Sequence, residues 1–174
     1  MGHSTRTLDE FVDLLREADV NFVVDVRSMP RSRTNPQFNA QTLPQALAPW
    51  QIGYAHIAEL GGLRAKGARS NPSPNAFWRV RGFRNYADYA LTEPFAVGLA
   101  RLRALGSHNR CAIMCAEAVW WRCHRRIIAD YLLAAGERVQ HILAPGHIDA
   151  ASLTPGAIVQ SDKTILYPAT PAAE

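Results

Sequence analysis

The sequence predicts an α/β fold: a single compact domain with a largely parallel central sheet flanked by helices. Three observations predict it. Short β-branched or apolar runs alternate with longer segments of helical periodicity. Ionisable residues collect just after those runs, where open parallel sheets bind ligands. The 174 residues, 48% hydrophobic and 20% charged, are enough for one sizeable core and argue against disorder.

Taken in order, TLDEFVDLLREA opens with a capping box, Thr7 with Glu10, and sets Leu8, Phe11, Leu14 and Leu15 on one face of a helix. NFVVDV (21–26) follows as a buried strand, and RSMPRSRTNPQFN as a loop without periodicity. Thr42 with Gln45 marks a second helix start, ahead of a strand IGYAHI (52–57). Residues 58–82, with Gly61, Gly62, Gly67, Pro72 and Pro74, read as a long loop, and loops of that length in compact domains are commonly functional. RNYADYAL and EPFAVGLARLRALG are helical, the second capped by Thr92 with Pro94 in its first turn. RCAIMC (110–115) is a strand, and RCHRRIIADYLLAAG a helix ending at Gly136 that turns Ile127, Ile128, Tyr131 and Leu132 inward. RVQHIL (138–143) is a further strand. The domain is thus expected over 1–146, with an irregular tail over 147–174 packed on it or trailing from it.

Composition narrows the function classes. No apolar run approaches the roughly 20 residues that span a bilayer, and MGHSTRTLDE lacks the apolar core of a signal peptide, so the expected location is the cytoplasm with no membrane partner. Three cysteines, two of them in one short segment, suit free thiols better than a disulfide framework. The formal net charge is +4, and 17 of the 19 basic residues are arginine, whose planar fork fits phosphate and carboxylate.

The chemistry gathers at strand ends. Asp25 and Arg27 close the first strand, with Arg31 and Arg33 behind them. His56 and then Glu59 follow the second, and Cys115 and Glu117 the third. The third strand's helix begins near Cys123, His124, Arg125 and Arg126. Three strands delivering ionisable groups to one sheet edge predict a pocket there. Asp25 and Arg27 admit two readings, a structural ion pair and an anion clamp, because a charge ending a buried strand needs a partner.

Within CAEAVWWRCHRR (115–126), Cys115 lies in a loop running into a helix amino terminus, where backbone N–H groups, the helix dipole and arginines lower a thiol pKa. The Cys-to-Arg spacing of phosphatase and sulfurtransferase loops is absent, since six residues separate Cys115 from Arg122. Cys115, Cys123, His124 and His3 or His56 form a conceivable ligand set. Adjacent Cys123 and His124 would diverge on a helix, however, so the sequence predicts no metal. Cys111 reads as a small apolar strand residue. A separate basic aromatic stretch, FWRVRGFRNY (77–86), offers Trp78, Arg79, Arg81, Phe83 and Arg84 as an alternative nucleic-acid surface, set against simple packing of its aromatics.

GHSTRTLDEF, VVDVRSMPRSR, NPQFN, YAHIAELGG, MCAEAVWWRCHRRIIADYL and VQHIL together resemble the successive motifs of the domain-of-unknown-function 488 family (DUF-488), over residues 2 to about 143. The resemblance implies a compact α/β domain and no assigned activity; members of the family usually carry a short strand ahead of the motif that Gly2-His3-Ser4 matches, which is missing ahead of it in this sequence. It implies recurring positions at Gly2, His3, Ser4, Asp25, Arg27, Pro30, Arg31, Gln37, Phe38, Tyr54, Gly61, Gly62, Cys115, Glu117, Cys123, His124 and Arg125. VVDVRS followed by a strand–Cys–loop–helix unit is also similar to rhodanese-type domains, consistent with Rossmann-like or rhodanese-like layering. The functional expectation is an enzyme, a cysteine- or carboxylate-dependent hydrolase or transferase, acting on a small anionic, phosphate-bearing substrate. Cys115 or Glu117 would carry the chemistry and His3 or His124 the proton. Asp25, Arg27, Arg31, Arg33, Gln37, Tyr54, His56 and Arg125 would line the anion site. The sequence assigns no cofactor. A nucleic-acid module and a non-catalytic anion sensor are the alternatives.

Overall fold

The computed structural model describes residues 1–64 and 73–169. Its centre is a parallel sheet of three strands, β1 (Phe22–Asp25), β2 (Gly53–His56) and β3 (Cys111–Met114), in the order β2-β1-β3. Phe22 pairs with Gly53 on one side and Cys111 on the other, and Asp25 with His56 and Met114, so all three strands end level. β1 is central because it is apolar on both faces: Val23 and Val24 are fully buried and join opposite cores.

Helix α1 (Leu8–Glu17) covers one face. Its capping box forms as expected, with the Thr7 hydroxyl accepting from the Glu10 N–H and the Glu10 carboxylate from the Thr7 N–H. It buries Phe11, Val12, Leu14 and Leu15 against Val23, Met114, Phe38 and the short helix α2 (Leu43–Leu47). The other face carries α3 (Arg81–Tyr89), α4 (Glu93–Gly106) and α5 (Arg125–Ala134), which pack Tyr86, Phe95, Leu102, Ile127, Ile128 and Tyr131 around Val24. The connection leaving β1 therefore crosses one face and that leaving β3 the other. Between the carboxyl ends of those neighbouring strands the chain parts, which is where such sheets open a crevice.

Several expectations meet a different outcome. Thr42 and Thr92 do stand at the N-cap positions of α2 and α4, but their hydroxyls make no capping bond: each donates back to a preceding carbonyl, Thr42 to Pro36 and Asn39 and Thr92 to Tyr89. The strand expected at 138–143 is β4 (Gln140–Ala144), but it stands outside the parallel sheet, in an antiparallel hairpin with β5 (His147–Ala150) around Gly146 at φ +71°. The tail is not irregular throughout. Besides β5 it holds a small pair, β6 (Ile158–Val159) with β7 (Ile165–Leu166), and buries Ile165 and Tyr167. The expected loop 58–82 contains a 3₁₀ turn (Ala58–Leu60) and gives way to α3 at Arg81, and its residues 65–72, with Gly67 and Pro72, lie outside the described residues. No helix among the described residues is long and apolar enough to cross a membrane.

Candidate active site

The crevice is a cavity of about 430 Å³. Arg27, Ser28 and Met29 reach it from the end of β1, and Cys115, Ala116 and Glu117 from the end of β3. Arg122, Cys123 and His124 come from the approach to α5, and Gly62, Leu63, Val80 and Phe83 form its apolar side.

Beneath it lies a closed polar network. Asp25 is fully buried, and its carboxylate accepts from Arg27 Nε at 2.9 Å, Arg27 Nη2 at 2.6 Å, the Arg27 backbone N–H at 3.0 Å and the Tyr54 hydroxyl at 2.8 Å. Arg27 Nη2 also donates to the Phe38 carbonyl at 2.6 Å. His3, 2% exposed and stacked on Phe38, donates from Nδ1 to the Ser4 carbonyl. That bond leaves Nε2 as an acceptor for Arg27 Nη1 at 3.2 Å. Burial opposes the charge of Arg27, but the hydrogen bonds and charge of Asp25 outweigh it and raise its pKa. Burial, followed by the nearby carboxylate, raises that of Tyr54, whereas burial lowers that of His3. His56 donates from Nε2 to the Arg27 carbonyl at 2.8 Å, fixing the backbone that follows β1.

Facing this network is a second cluster. After β3 the chain makes a 3₁₀ turn (Trp120–Arg122), and Cys123 is extended at φ −127°, ψ 146°, before His124 starts α5 as its N-cap. Neither residue is on the helix, so the divergence expected of a helical pair does not arise. Cys123 Sγ and His124 Nδ1 lie 3.5 Å apart. Cys115 Sγ joins them, and the three donor atoms all lie within 4.8 Å of one another. His124 Nε2 donates to the Val26 carbonyl at 2.9 Å, which leaves the Nδ1 lone pair toward the thiols. Gly62 permits this arrangement, because a Cβ there would press on His124 Nδ1. Gly2 is required for a similar reason. The first residues run beside β3, with Gly2 bridged to Cys115, and a Cβ at Gly2 would collide with the Glu117 carbonyl.

Arg125 closes the cluster from behind. It is 3% exposed, and donates from Nε to Cys123 Sγ at 3.1 Å and from Nη2 to the Glu117 carbonyl. Among the described residues no carboxylate lies within ion-pair distance of it. The hydrogen bond from the Cys115 thiol, then His124 and the Arg125 charge, outweigh burial and lower the pKa of Cys123. The same bond, with burial and the charge of Cys123, raises that of Cys115. A position just ahead of a helix amino terminus favours an anion in the same sense. As ligands, two sulfurs and an imidazole suit a soft cation. The buried guanidinium against Cys123 works the other way, favouring an anion at that sulfur over a dication beside it.

The expected site residues fall into three groups. Cys115, Glu117, Arg27 and His124 line the cavity. His3, Asp25, Tyr54, His56 and Arg125 stand behind that lining and position it. Arg31 and Arg33 are exposed and do not line it, and Gln37 donates to the Arg6 carbonyl instead. Of the basic aromatic stretch, Trp78 is buried, stacked on Phe83 and crossed by the Arg126 guanidinium, while Arg84 donates to the Trp78 carbonyl. Arg79 and Arg81 are exposed, and Phe83 lines the cavity. Sequence reasoning did not single out Cys123 as a cavity residue, nor the apolar side formed by Met29, Leu63 and Val80. The signal for Cys123 was a Cys-His-Arg run at a helix start.

Fold and site together define an α/β protein with a thiol–imidazole–guanidinium cluster where a parallel sheet parts at its carboxyl edge. Residues 7–132 match the family model described as domain of unknown function DUF488, and the chain belongs to that family. No curated protein and no solved structure matches the chain.

Proposed function

We propose that the chain is a thiol-dependent transferase or hydrolase with Cys123, rather than Cys115, as nucleophile. Its substrate is anionic, with a negative group facing Arg122 and an apolar part against Met29, Leu63, Val80 and Phe83. The observation that carries this reading is Arg125, a guanidinium 3% exposed whose nearest anion-capable neighbour is Cys123 Sγ. A buried cation without a counter-charge is costly, and a thiolate supplies that charge.

In the chemical step the Cys123 thiolate, whose proton rests on His124 Nδ1, forms a bond to the electrophilic centre of the substrate. The leaving group departs with its electron pair and takes the proton from Nδ1. Water or an acceptor then displaces Cys123, giving its proton to His124 Nδ1, and frees the thiolate. Cys115 donates its S–H to Cys123, and Glu117 faces the same cavity as a carboxylate available to orient the attacking water. Nucleic acid fits less well, because Trp78, the indole of the basic aromatic stretch, is committed to the core.

The test is release of p-nitrophenol from its acetate and phosphate esters, with intact-mass analysis of acid-quenched protein. Wild type is expected to release the chromophore and carry an adduct on Cys123. Cys123→Ser is expected to lose both, while Cys111→Ser keeps them. Undiminished release by Cys123→Ser would overturn the assignment.

A further inference from the structure

Two thiols in one cavity do more than share a proton. We propose that Cys115 and Cys123 form a reversible disulfide when the site meets a hydroperoxide, which makes the cluster a redox-active pair and switches its nucleophile off. The sulfurs lie within 4.8 Å of each other. The two cysteines sit on different elements, one closing a strand and one extended ahead of a helix, so the pair closes through side-chain rotation and a small shift of the Cys123 segment. Both line the cavity, so the oxidant reaches the sulfur that is the better nucleophile.

The chemistry balances with the oxidant as the one co-reactant. The Cys123 thiolate attacks the terminal peroxide oxygen, the O–O bond breaks, and the alcohol (water, for hydrogen peroxide) leaves after taking up a proton. Cys123 becomes a sulfenic acid. Cys115 sulfur then attacks that sulfur, its S–O bond breaks, and water leaves with the Cys115 proton. Two sulfurs are oxidised and one peroxide is reduced.

Arg125 sets the direction of the resting state. A disulfide is neutral, and forming it removes the anion that accompanies the buried guanidinium. The reduced form is therefore the favoured one, and the bond yields readily to ordinary thiols, as in oxidoreductases whose reduced state is stabilised. This inference rests on the Cys123 thiolate proposed above, but not on any turnover of an ester.

The experiment treats wild type and Cys115→Ser with a few equivalents of hydrogen peroxide, with and without dimedone, followed by non-reducing tryptic digestion and tandem mass spectrometry. Arg122 separates the two cysteines into different peptides. Wild type is expected to show a Cys115–Cys123 cross-link, at least tenfold less iodoacetamide labelling of Cys123, and full recovery in millimolar glutathione. Cys115→Ser is expected to accumulate a dimedone adduct on Cys123. A dimedone adduct in wild type as abundant as in the variant, or sulfinic acid on Cys123 without a cross-link, would overturn the pairing and leave the thiolate standing. Cys123 untouched in both proteins would overturn both. If Cys115→Ser does not fold, the cross-link in wild type decides alone.

Discussion

Two buried arginines stand on either side of the cavity, and they are neutralised in different ways. Arg27, 6% exposed, is gripped by Asp25 and commits the rest of its inward donors to Phe38 and His3. That region is closed, with charge matched and its acceptors filled. Arg125, 3% exposed, has only a sulfur and a backbone carbonyl among the described residues. That region is complete only if the sulfur is an anion. On the proposed function the difference separates scaffold from chemistry: the same residue type closes one wall and, at the opposite wall, stands against the proposed nucleophile.

The comparison is broken or sharpened by four substitutions. Asp25→Asn has the largest expected effect, because it strands Arg27 with its charge unmatched. Stability is expected to fall by about 3–5 kcal/mol in urea denaturation, and a loss below about 1 kcal/mol would remove the scaffold reading. Gly62→Ala comes next. Its Cβ would press on His124 Nδ1, so a loss of about 1–3 kcal/mol is expected, with slower alkylation of Cys123. Arg125→Met is expected to change stability little, since an apolar side chain replaces a cation that lacks a carboxylate. It should slow Cys123 alkylation at pH 6 by at least tenfold, about 1.4 kcal/mol. Thr7→Ala, remote from the cavity, is expected to cost about 1 kcal/mol through loss of its cap and to leave alkylation of Cys123 unchanged.

What the sequence revealed followed the range of each interaction. The Thr7–Glu10 box is local and was legible, as was the placement of Asp25 and Arg27 at the end of a strand buried on both faces. Thr42 and Thr92 show the same N-cap residue type, but their hydroxyls found nearer carbonyls. β4 was legible as a strand, whereas its partner β5, HIDA, is short and polar and gave no signal until paired. Trp78 looked like part of a surface because arginines flank it, but packing on Phe83 and Tyr167 decided otherwise. Cys123 was hidden by one assumption, that the helix starts at 122. The extended backbone at Cys123 turns its sulfur toward Cys115 and His124, and that dihedral depends on the preceding 3₁₀ turn.

The central claim is that Cys123 is a thiolate at neutral pH. It is tested most directly by the pH dependence of iodoacetamide alkylation at each cysteine, read by peptide mass spectrometry on native protein. The thiolate is the reacting form, so a lowered pKa keeps the rate high as pH falls, and a raised one delays reaction until pH climbs. The account predicts a midpoint for Cys123 well below the free-thiol value of about 8.5. Cys115 and Cys111 should react only above that value, the first because of its bond to Cys123 and the second because of burial. A Cys123 midpoint at or above that of Cys111 would contradict it.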